Sequence, residues 1–255
     1  MDVSAIILAA GKGTRMKSDL PKVLHEVCGR PMLAYVIDAC RAAGCSRLLV
    51  VIGHEADMVR RAFAADCDDI VWVEQVEQLG TGHAVMVCSG HLRRLSGPVL
   101  VVGGDGPLIR PVTLKQLLAR HEEKGADCTL ATSVLPDPGR YGRIIRNGAG
   151  ALAGIVEFLD ADEEQRKIRE VNVSLYCFDA KALCWALDRL DNDNAKGEYY
   201  LTDTIGHLKA AGAKLGAVAA VPPEDVLSIN TPQELDEVGR IMAKRLAGIG
   251  VKNDG

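Results

Sequence analysis

Short runs of apolar residues recur along the first half of this 255-residue chain, and a stretch with helical spacing follows each run. The runs do not alternate with polar residues, which is typical of strands buried on both faces of a parallel sheet. We therefore predict an α/β fold, in which helices cover both faces of a mostly parallel sheet. The predicted strands are residues 5–9, 47–52, 70–74, 99–102 and 127–134, and the predicted helices are residues 31–43, 55–65, 81–92 and 112–124.

The pattern changes after Leu135, where turn-forming residues bracket two short strands predicted at 143–146 and 152–157. We expect these strands to form an antiparallel excursion over the ligand edge of the sheet. The later elements expected are a strand at 171–178, helices at 180–190 and 200–211, a strand at 215–221, and a helix that begins with a capping box at 231–234 and ends near Leu246. We predict one domain, residues 1–247, and a flexible tail, residues 248–255.

The composition argues against several classes of protein. A formal net charge of −4 disfavours broad electrostatic attraction to nucleic acid or acidic membranes. The chain has no apolar run long enough for a transmembrane helix and no basic segment at its start. The eight cysteines form no C-x-x-C pair and have no zinc-ligand spacing, so we expect reduced, mostly buried thiols. We accordingly predict a cytoplasmic protein that binds neither nucleic acid nor membranes.

A glycine-rich turn follows the first predicted strand and carries positive charge. Gly11 and Gly13 allow backbone N–H groups to approach a phosphate closely, and Lys12 and Arg15 add cations. Lys22, stiffened by the preceding proline, would add a further charge beside this turn. The Walker A and dinucleotide patterns are both absent. A purely structural turn and an exposed lysine remain the alternative interpretation.

Polar residues follow two later strands at the same predicted edge. Gln75 could pair with a uracil edge through its amide, and Gly80 allows close approach, with Thr81 predicted to cap the next helix. Asp105, among small residues, suits magnesium, which takes one or two protein carboxylates together with substrate phosphates. Asn230 could add a second oxygen ligand. A polar loop, a turn aspartate and a local asparagine turn are the alternatives, and these residues alone leave both readings open.

Together these segments resemble the sugar-phosphate nucleotidyltransferases, most closely the N-terminal uridyltransferase domain of the bacterial bifunctional N-acetylglucosamine-1-phosphate uridyltransferase/glucosamine-1-phosphate acetyltransferase. The resemblance spans about residues 3 to 246. It implies a Rossmann-like fold of the nucleotide-diphospho-sugar transferase type. The matching segments are residues 8–16, 20–22, 77–84, 104–108, 141–144, 154–157, 170–172 and 197–203.

The resemblance implies that the chain makes UDP-N-acetylglucosamine and pyrophosphate from UTP and N-acetylglucosamine 1-phosphate by an Mg²⁺-dependent in-line transfer, without a covalent enzyme intermediate. It also implies roles for individual residues. The implied catalytic residues are Arg15, Lys22 and Asp105, and the implied metal ligands are Asp105 and Asn230. The implied nucleotide-binding residues are Leu8, Ala9, Ala10, Gly11, Gln75, Gly80, Thr81, Gly103 and Gly104. The implied sugar-binding residues are Gly142, Glu157, Asn172 and Asn230, with Tyr199 and Thr202 near the sugar pocket.

Two departures from the family pattern leave alternatives open. Gly103 and Gly106 stand where the family usually has bulkier residues, which could leave Asp105 less pre-organised or alter a pocket wall. The alternatives are therefore another sugar 1-phosphate, dTTP in place of UTP, or a catalytically idle regulator that binds sugar nucleotides. No hexapeptide repeat follows residue 247, so we expect no acetyltransferase activity and no β-helix trimer; the oligomeric state stays open.

Overall fold

The computed structural model describes residues 2–65, 68–194 and 196–250. The strands are β1 (Val3–Leu8), β2 (Glu26–Val27), β3 (Arg30–Pro31), β4 (Cys45–Ile52), β5 (Ile70–Glu74), β6 (Pro98–Gly103), β7 (Cys128–Val134), β8 (Arg143–Arg146), β9 (Leu152–Val156), β10 (Glu170–Asp179) and β11 (Leu215–Val218). The α-helices are α1 (Met32–Ala43), α2 (Ala56–Ala62), α3 (Thr81–Met86), α4 (Ser89–Leu92), α5 (Pro111–Lys124), α6 (Glu163–Arg166), α7 (Ala180–Leu187), α8 (Asp203–Ala210) and α9 (Pro232–Gly250).

One mixed sheet has the strand order β11-β7-β10-β6-β1-β4-β5, and β8 and β9 extend it as an antiparallel pair beside β10. Strands β6, β1, β4 and β5 are mutually parallel, as are β11 and β7. The predicted mostly parallel sheet with an antiparallel excursion is thus confirmed. Strand β10 runs antiparallel to both β6 and β7, which the sequence did not predict. The excursion through β8 and β9 returns the chain to the edge where β7 ends, so β10 must run in the opposite direction.

Helices cover the sheet on both faces, which explains why its strands are continuously apolar. In β1, Ile7 belongs to the apolar core that includes side chains of α1, α5 and α9 on one face, whereas Ile6 belongs to the core that includes side chains of α3, α7 and α8 on the other. Both isoleucine side chains are completely buried. Each buried side chain of this size contributes about 1.5–3 kcal/mol relative to an exposed one. The two cores therefore hold the central strands rigidly and fix where their carboxyl ends point.

Several elements differ from the expected bounds. The expected helix at 81–92 is divided into α3 and α4, and the expected helices at 55–65, 180–190 and 200–211 are shorter. The β2–β3 hairpin and α6 were not predicted. Helix α9 continues to Gly250, past the expected end near Leu246, and residues 251–255 of the expected tail lie outside the described residues. These ends depend on tertiary packing more than on local preference.

Five of the seven cysteines in the described ranges are buried, and all seven are free thiols; Cys67 lies outside these ranges. This agrees with the expectation of mostly buried, reduced thiols. Within the same part of the chain, no helix combines the length and the apolar character that a membrane span requires.

A buried carboxylate ties the C-terminal helix to the body of the fold. The Asp225 side chain is fully buried, and its oxygens contact the Arg245 guanidinium of α9 and Arg110 Nε at 2.5 Å, just before α5. Arg245 also donates to the Leu108 carbonyl oxygen at 2.9 Å. Because Asp225 is the last residue of a short 3₁₀ turn that precedes α9, this ion pair fixes the segment that leads into that helix.

We predict that Asp225→Ala lowers the free energy of unfolding by about 3 kcal/mol, because the two guanidinium groups lose their buried carboxylate. Chemical denaturation measures this change. Asp188→Ala is the matched control, since Asp188 pairs with Arg93 at an exposed site, where such a pair contributes at most about 1 kcal/mol. Equal losses for the two variants would contradict the role assigned to Asp225.

Candidate active site

The carboxyl ends of the central strands surround a crevice with a volume of about 480 Å³. This is the edge at which ligands bind to open α/β sheets. We call this crevice the first pocket. Its lining combines main-chain groups of the turn after β1 with side chains that follow β5 and β6. The lining residues that the sequence analysis had singled out are Leu8, Ala9, Ala10, Gly11, Lys22, Gln75, Gly80, Thr81, Gly103, Asp105, Gly106 and Asn230.

A cluster of charged and amide groups lies in the first pocket. The Lys22 ammonium is 2.5 Å from Asp105 Oδ2 and donates to Asn230 Oδ1 at 2.8 Å. The Arg15 guanidinium, which is exposed to solvent, donates to the same asparagine oxygen at 3.0 Å. The side chains of Lys22 and Asp105 are only 12% and 29% exposed, so water screens their charges incompletely. The structure thus brings these four predicted residues together.

Local backbone geometry holds Lys22 against the glycine turn. Pro21 precedes a 3₁₀ turn, Lys22–Leu24, which starts with the lysine. Gly13 has a φ of 62°, and a Cβ there would lie 2.6 Å from Lys22 Cβ. Only glycine combines this conformation with so close a contact. The glycine turn therefore has a packing function as well as its exposed main chain.

The start of α9 positions Asn230. Ile229 N–H donates to the Asp105 carbonyl oxygen at 2.9 Å, which joins this segment to the loop after β6. Asn230 N–H donates to Glu234 Oε2 at 2.7 Å within the predicted capping box. The Asn230 amide nitrogen also donates to Ser228 Oγ at 3.1 Å. Its nitrogen thus makes the local turn that was the alternative interpretation, while its oxygen faces the cations.

The donor atoms at this point fit a hard divalent cation. Asp105 Oδ2 and Asn230 Oδ1 are both within hydrogen-bonding distance of one positively charged nitrogen, so they face a common point. Carboxylate and amide oxygens with few other protein ligands suit Mg²⁺, which keeps waters and substrate phosphates in its shell. No group of three or more His, Cys, Asp and Glu side chains that could hold a metal occurs within residues 2–65, 68–194 and 196–250. Any metal here would depend on a ligand for the rest of its coordination.

The loop after β5 forms the other end of the first pocket. Gln75 is 4% exposed, and its amide nitrogen contacts the Gly80 carbonyl oxygen at 3.2 Å and His83 Nδ1 at 3.1 Å. These contacts orient the amide and use its nitrogen. Gln78 Nε2 donates to the Ala10 carbonyl oxygen at 2.7 Å and so joins this loop to the glycine turn. Gln78 lies in a segment that the resemblance covered, although no role was predicted for it.

Thr81 has a different contact from the one expected. It is the first residue of α3 and makes no capping hydrogen bond; its Oγ1 accepts a hydrogen bond from Leu201 N–H at 3.1 Å. Beside it, Tyr199 N–H donates to the Leu79 carbonyl oxygen at 2.8 Å, and Gly82 N–H donates to the Tyr199 carbonyl oxygen at 2.7 Å. The predicted helix cap is therefore wrong, because Thr81 and its neighbours hold the 199–201 segment against the loop.

A second pocket, with a volume of about 320 Å³, adjoins the first. Leu8, Thr81, Ser174 and Glu198 line both pockets. Glu157 and Thr202, both predicted site residues, line the second, and Thr202 Oγ1 donates to Glu157 Oε1 at 3.3 Å. Burial raises the pKa of the Glu157 carboxyl, and the Thr202 hydrogen bond offsets this only in part.

Gly142 and Asn172 stand behind the second pocket. A Cβ at Gly142 would lie 3.4 Å from Glu157 Oε2, so the glycine leaves room for that carboxylate. Asn172 is 4% exposed; its N–H donates to the Gly142 carbonyl oxygen at 2.8 Å, and its Nδ2 donates to the Tyr176 hydroxyl at 2.7 Å. Tyr176, which was not predicted, lines the second pocket and is nearly fully buried.

The three glycines near Asp105 have separate effects. A Cβ at Gly103 would lie 2.9 Å from Asp105 Oδ1, so a larger residue there would press on the carboxylate. A Cβ at Gly106 would meet only open space. Gly104 is buried, and its N–H donates to the Leu8 carbonyl oxygen at 2.9 Å, so it packs between strands instead of facing the pocket. The contacts with Lys22 orient Asp105 despite its flexible neighbours.

Comparisons with known proteins agree with this architecture. A family model described as MobA-like NTP transferase domain matches residues 5–170. Over 242 residues, the chain is 48% identical to a protein of Clostridium acetobutylicum named "Bifunctional protein GlmU"; the match covers 95% of this chain and 52% of that protein. The protein of the same name from Geobacillus thermodenitrificans is 45% identical over 249 residues, with 98% and 54% covered. The chain spans about half the length of these curated relatives.

Among solved structures, a UDP-glucose pyrophosphorylase complexed with UDP-glucose superimposes with a TM-score of 0.78. The alignment covers 96% of this chain and all of the other, at 18% sequence identity. At this identity the similarity is one of fold.

We predict that Gly80→Ala destabilises the protein by about 2 kcal/mol. Gly80 has a φ of 106°, and a Cβ there would lie 2.6 Å from the Tyr199 carbonyl oxygen, so the loop must shift. Gly206→Ala is the control, because Gly206 lies inside α8 with no atom within 4 Å of an added Cβ, and alanine favours a helix by about 0.5–1 kcal/mol. Chemical denaturation compares the two variants. A Gly80→Ala variant as stable as the wild type would show that the close contact with Tyr199 is absent.

Proposed function

The chain belongs to the MobA-like NTP transferase domain family, and from this premise we propose that it joins UTP and N-acetylglucosamine 1-phosphate, with release of pyrophosphate. The observation that carries the proposal is the cluster of Lys22, Arg15, Asp105 and Asn230 at the carboxyl edge of the sheet. A reaction between two phosphorylated substrates requires cationic side chains and oxygen ligands for a metal ion close together. The 45–48% identity to the curated relatives supports the choice of substrates.

The proposed reaction is an in-line displacement at phosphorus. A phosphate oxygen of the sugar 1-phosphate attacks the α-phosphorus of UTP, and the bond from that phosphorus to the oxygen bridging to the β-phosphate breaks. The electron pair leaves with pyrophosphate, and the sugar becomes linked to uridine through a diphosphate. The nucleophile is already anionic, so no general base is needed.

Charge repulsion is the main obstacle to this reaction. Two unit charges 4 Å apart interact by about 1 kcal/mol in water and about 4 kcal/mol at an effective dielectric constant of 20. In the proposal, the Lys22 ammonium and the Arg15 guanidinium offset this repulsion, and they neutralise charge that develops on the leaving pyrophosphate. Lys22 is mostly shielded from water, which strengthens its effect on a bound phosphate.

We assign Asp105 and Asn230 as the residues that would hold Mg²⁺. When bound there, the ion supplies charge neutralisation to the phosphates and helps to align them. With these two oxygens engaged, the Lys22 ammonium is free to donate to phosphate oxygens. In the proposal, Asp105 and Asn230 thus bind the metal ion, and the Lys22 ammonium becomes available to the substrate.

Substrate recognition is proposed to be divided between the two pockets. Gln75, with its nitrogen used inside the protein, presents its amide oxygen to the uracil N3–H. Glu157 and Thr202 offer oxygen acceptors to the hydroxyl and acetamido N–H groups of the sugar. The two pockets adjoin, which suits two substrates that react with each other. Both partners are small molecules, and a cytoplasmic location remains part of the proposal.

The open space at Gly106 favours one alternative within the same class, a different sugar 1-phosphate or dTTP. A panel of nucleotides and sugar phosphates scored by kcat/KM separates these substrates. The idle-regulator alternative has less support, because the four charged and amide groups are present and in contact.

The direct test is pyrophosphate release by the purified chain with Mg²⁺, UTP and N-acetylglucosamine 1-phosphate. We expect turnover, with UDP-N-acetylglucosamine as the second product. Asp105→Ala should lower kcat by at least about a thousandfold, because it removes electrostatic stabilisation of the transition state, and should leave the fold intact. Asp38→Ala, at an exposed pair with Arg30, is the control and should keep normal activity. Normal turnover by Asp105→Ala at saturating Mg²⁺ would refute the assignment of Asp105.

A pH dependence follows from the raised pKa of the Glu157 carboxyl, which burial causes. As the pH falls through this raised pKa, Glu157 becomes protonated and loses acceptors for the sugar. The KM for the sugar phosphate should therefore rise as the pH is lowered from neutral toward this raised pKa. Glu157→Gln should have a high KM throughout and keep only the pH dependence of the substrate phosphate. An identical pH dependence in both proteins would show that Glu157 does not bind the sugar in its ionised form.

A further inference from the structure

Strand β10 contains a bulge at the boundary between the two pockets. Asn172 pairs with Thr132 of β7 and Leu175 pairs with the neighbouring Ala131, so two extra residues stand between them on β10. One of these, Ser174, has a φ of 55°. This left-handed conformation costs a residue other than glycine about 1–2 kcal/mol. Such strain persists where the surroundings enforce it, and it concentrates at functional sites.

Hydrogen bonds around the bulge hold Ser174 in place. Ser174 N–H donates to Asn172 Oδ1 at 3.2 Å, and Asn172 Nδ2 donates to the Tyr176 hydroxyl at 2.7 Å. Burial raises the pKa of the Tyr176 phenol, and hydrogen bonding from the Asn172 amide and the Ser174 hydroxyl offsets this in part. Asn172 and Tyr176 are both buried, so this ring of contacts is rigid. Ser174 itself is exposed and stands in front of them.

Ser174 occupies the junction of the two pockets with three other residues. Leu8 has no polar side-chain group, and the Glu198 carboxylate would repel a phosphate. Thr81 accepts a hydrogen bond from the main chain of Leu201, and the resemblance assigns its side to the nucleotide. Ser174 offers a neutral hydroxyl on the sugar side of this junction, and because it is exposed, that hydroxyl can turn from Tyr176 to a ligand.

We propose that Ser174 is a specificity-determining residue whose hydroxyl binds the phosphate of the sugar 1-phosphate where the sugar pocket opens into the nucleotide pocket. The inference rests on the proposed function. If the sugar binds beside Glu157 and the nucleotide phosphates bind beside Lys22, the phosphate of the sugar lies at this junction. A donor fixed by the bulge restrains that phosphate, and Asn172 and Tyr176 act as positioning residues behind it. The strain in β10 thus serves to direct one hydroxyl.

Two substitutions separate the hydroxyl from the backbone strain. Ser174→Ala removes the hydroxyl and keeps the Cβ, whereas Ser174→Gly removes both and relieves the strained φ. A hydrogen bond to a charged group of this kind corresponds to roughly tenfold in affinity. We therefore expect both variants to raise the KM for N-acetylglucosamine 1-phosphate about tenfold, to leave the KM for UTP unchanged, and not to lower the Tm. Ser46→Ala, exposed on β4, is the control and should match the wild type.

Calorimetric titration of the sugar phosphate and of free N-acetylglucosamine gives a readout that a structural role would not change selectively. Ser174→Ala should weaken binding of the phosphorylated sugar and leave binding of the free sugar unaltered. A wild type that turns over the sugar phosphate, together with an unchanged KM and affinity in Ser174→Ala, would overturn this inference alone. A wild type that turns over no sugar 1-phosphate would overturn the proposed function and this inference with it.

Discussion

The contact of one ammonium group with two oxygens holds the candidate site together. Lys22 comes from the region after β1, Asp105 from the loop after β6, and Asn230 from the start of α9, and they meet within 2.8 Å of the lysine nitrogen. These segments are more than eighty residues apart in the chain. Because the Lys22 and Asp105 side chains are partly shielded from water, their opposite charges attract more strongly than they would in bulk water. The region after β1, the loop after β6 and the start of α9 are thus joined at the Lys22 ammonium.

In the proposed function, the same contact lets the site accept highly charged ligands without a large rearrangement. The Lys22 ammonium balances the Asp105 carboxylate, so this partly buried carboxylate is not an isolated charge. When a phosphate and a divalent ion bind together, the phosphate can pair with Lys22 and the ion with Asp105. Each ligand thus meets a group of opposite charge that is already in place. The rigid strand ends beneath it, buried on both faces, keep the donor positions fixed.

The sequence predicts the fold well where local pattern decides it. Continuous apolar runs gave β4, β5 and β6 within about two residues, because strands buried on both faces have little tolerance for polar residues. The rule that ligands bind at the carboxyl edge of such strands placed Gln75 and Asp105 in one pocket. The resemblance added Glu157 and Thr202, whose contact no periodicity could have predicted. Their functional roles remain predictions.

What the sequence did not predict depends on contacts between distant segments. The direction of β10, the hydrogen bond from Leu201 to Thr81, and the buried Asp225 pair all require the tertiary fold. The strained Ser174 is a stronger case, because a serine gives no local sign of a positive φ. Its conformation follows from the bulge and from Asn172 and Tyr176 behind it. These are the places where tertiary packing overrides local preference.

Titration of UTP into the protein with and without Mg²⁺ tests the central claim most directly. If Asp105 and Asn230 form a site that a divalent ion and a polyphosphate occupy together, Mg²⁺ should tighten UTP binding at least about tenfold, a coupling of about 1.4 kcal/mol. Asn230→Ala should remove most of that coupling. Equal UTP affinity in the presence and absence of Mg²⁺ would contradict the account.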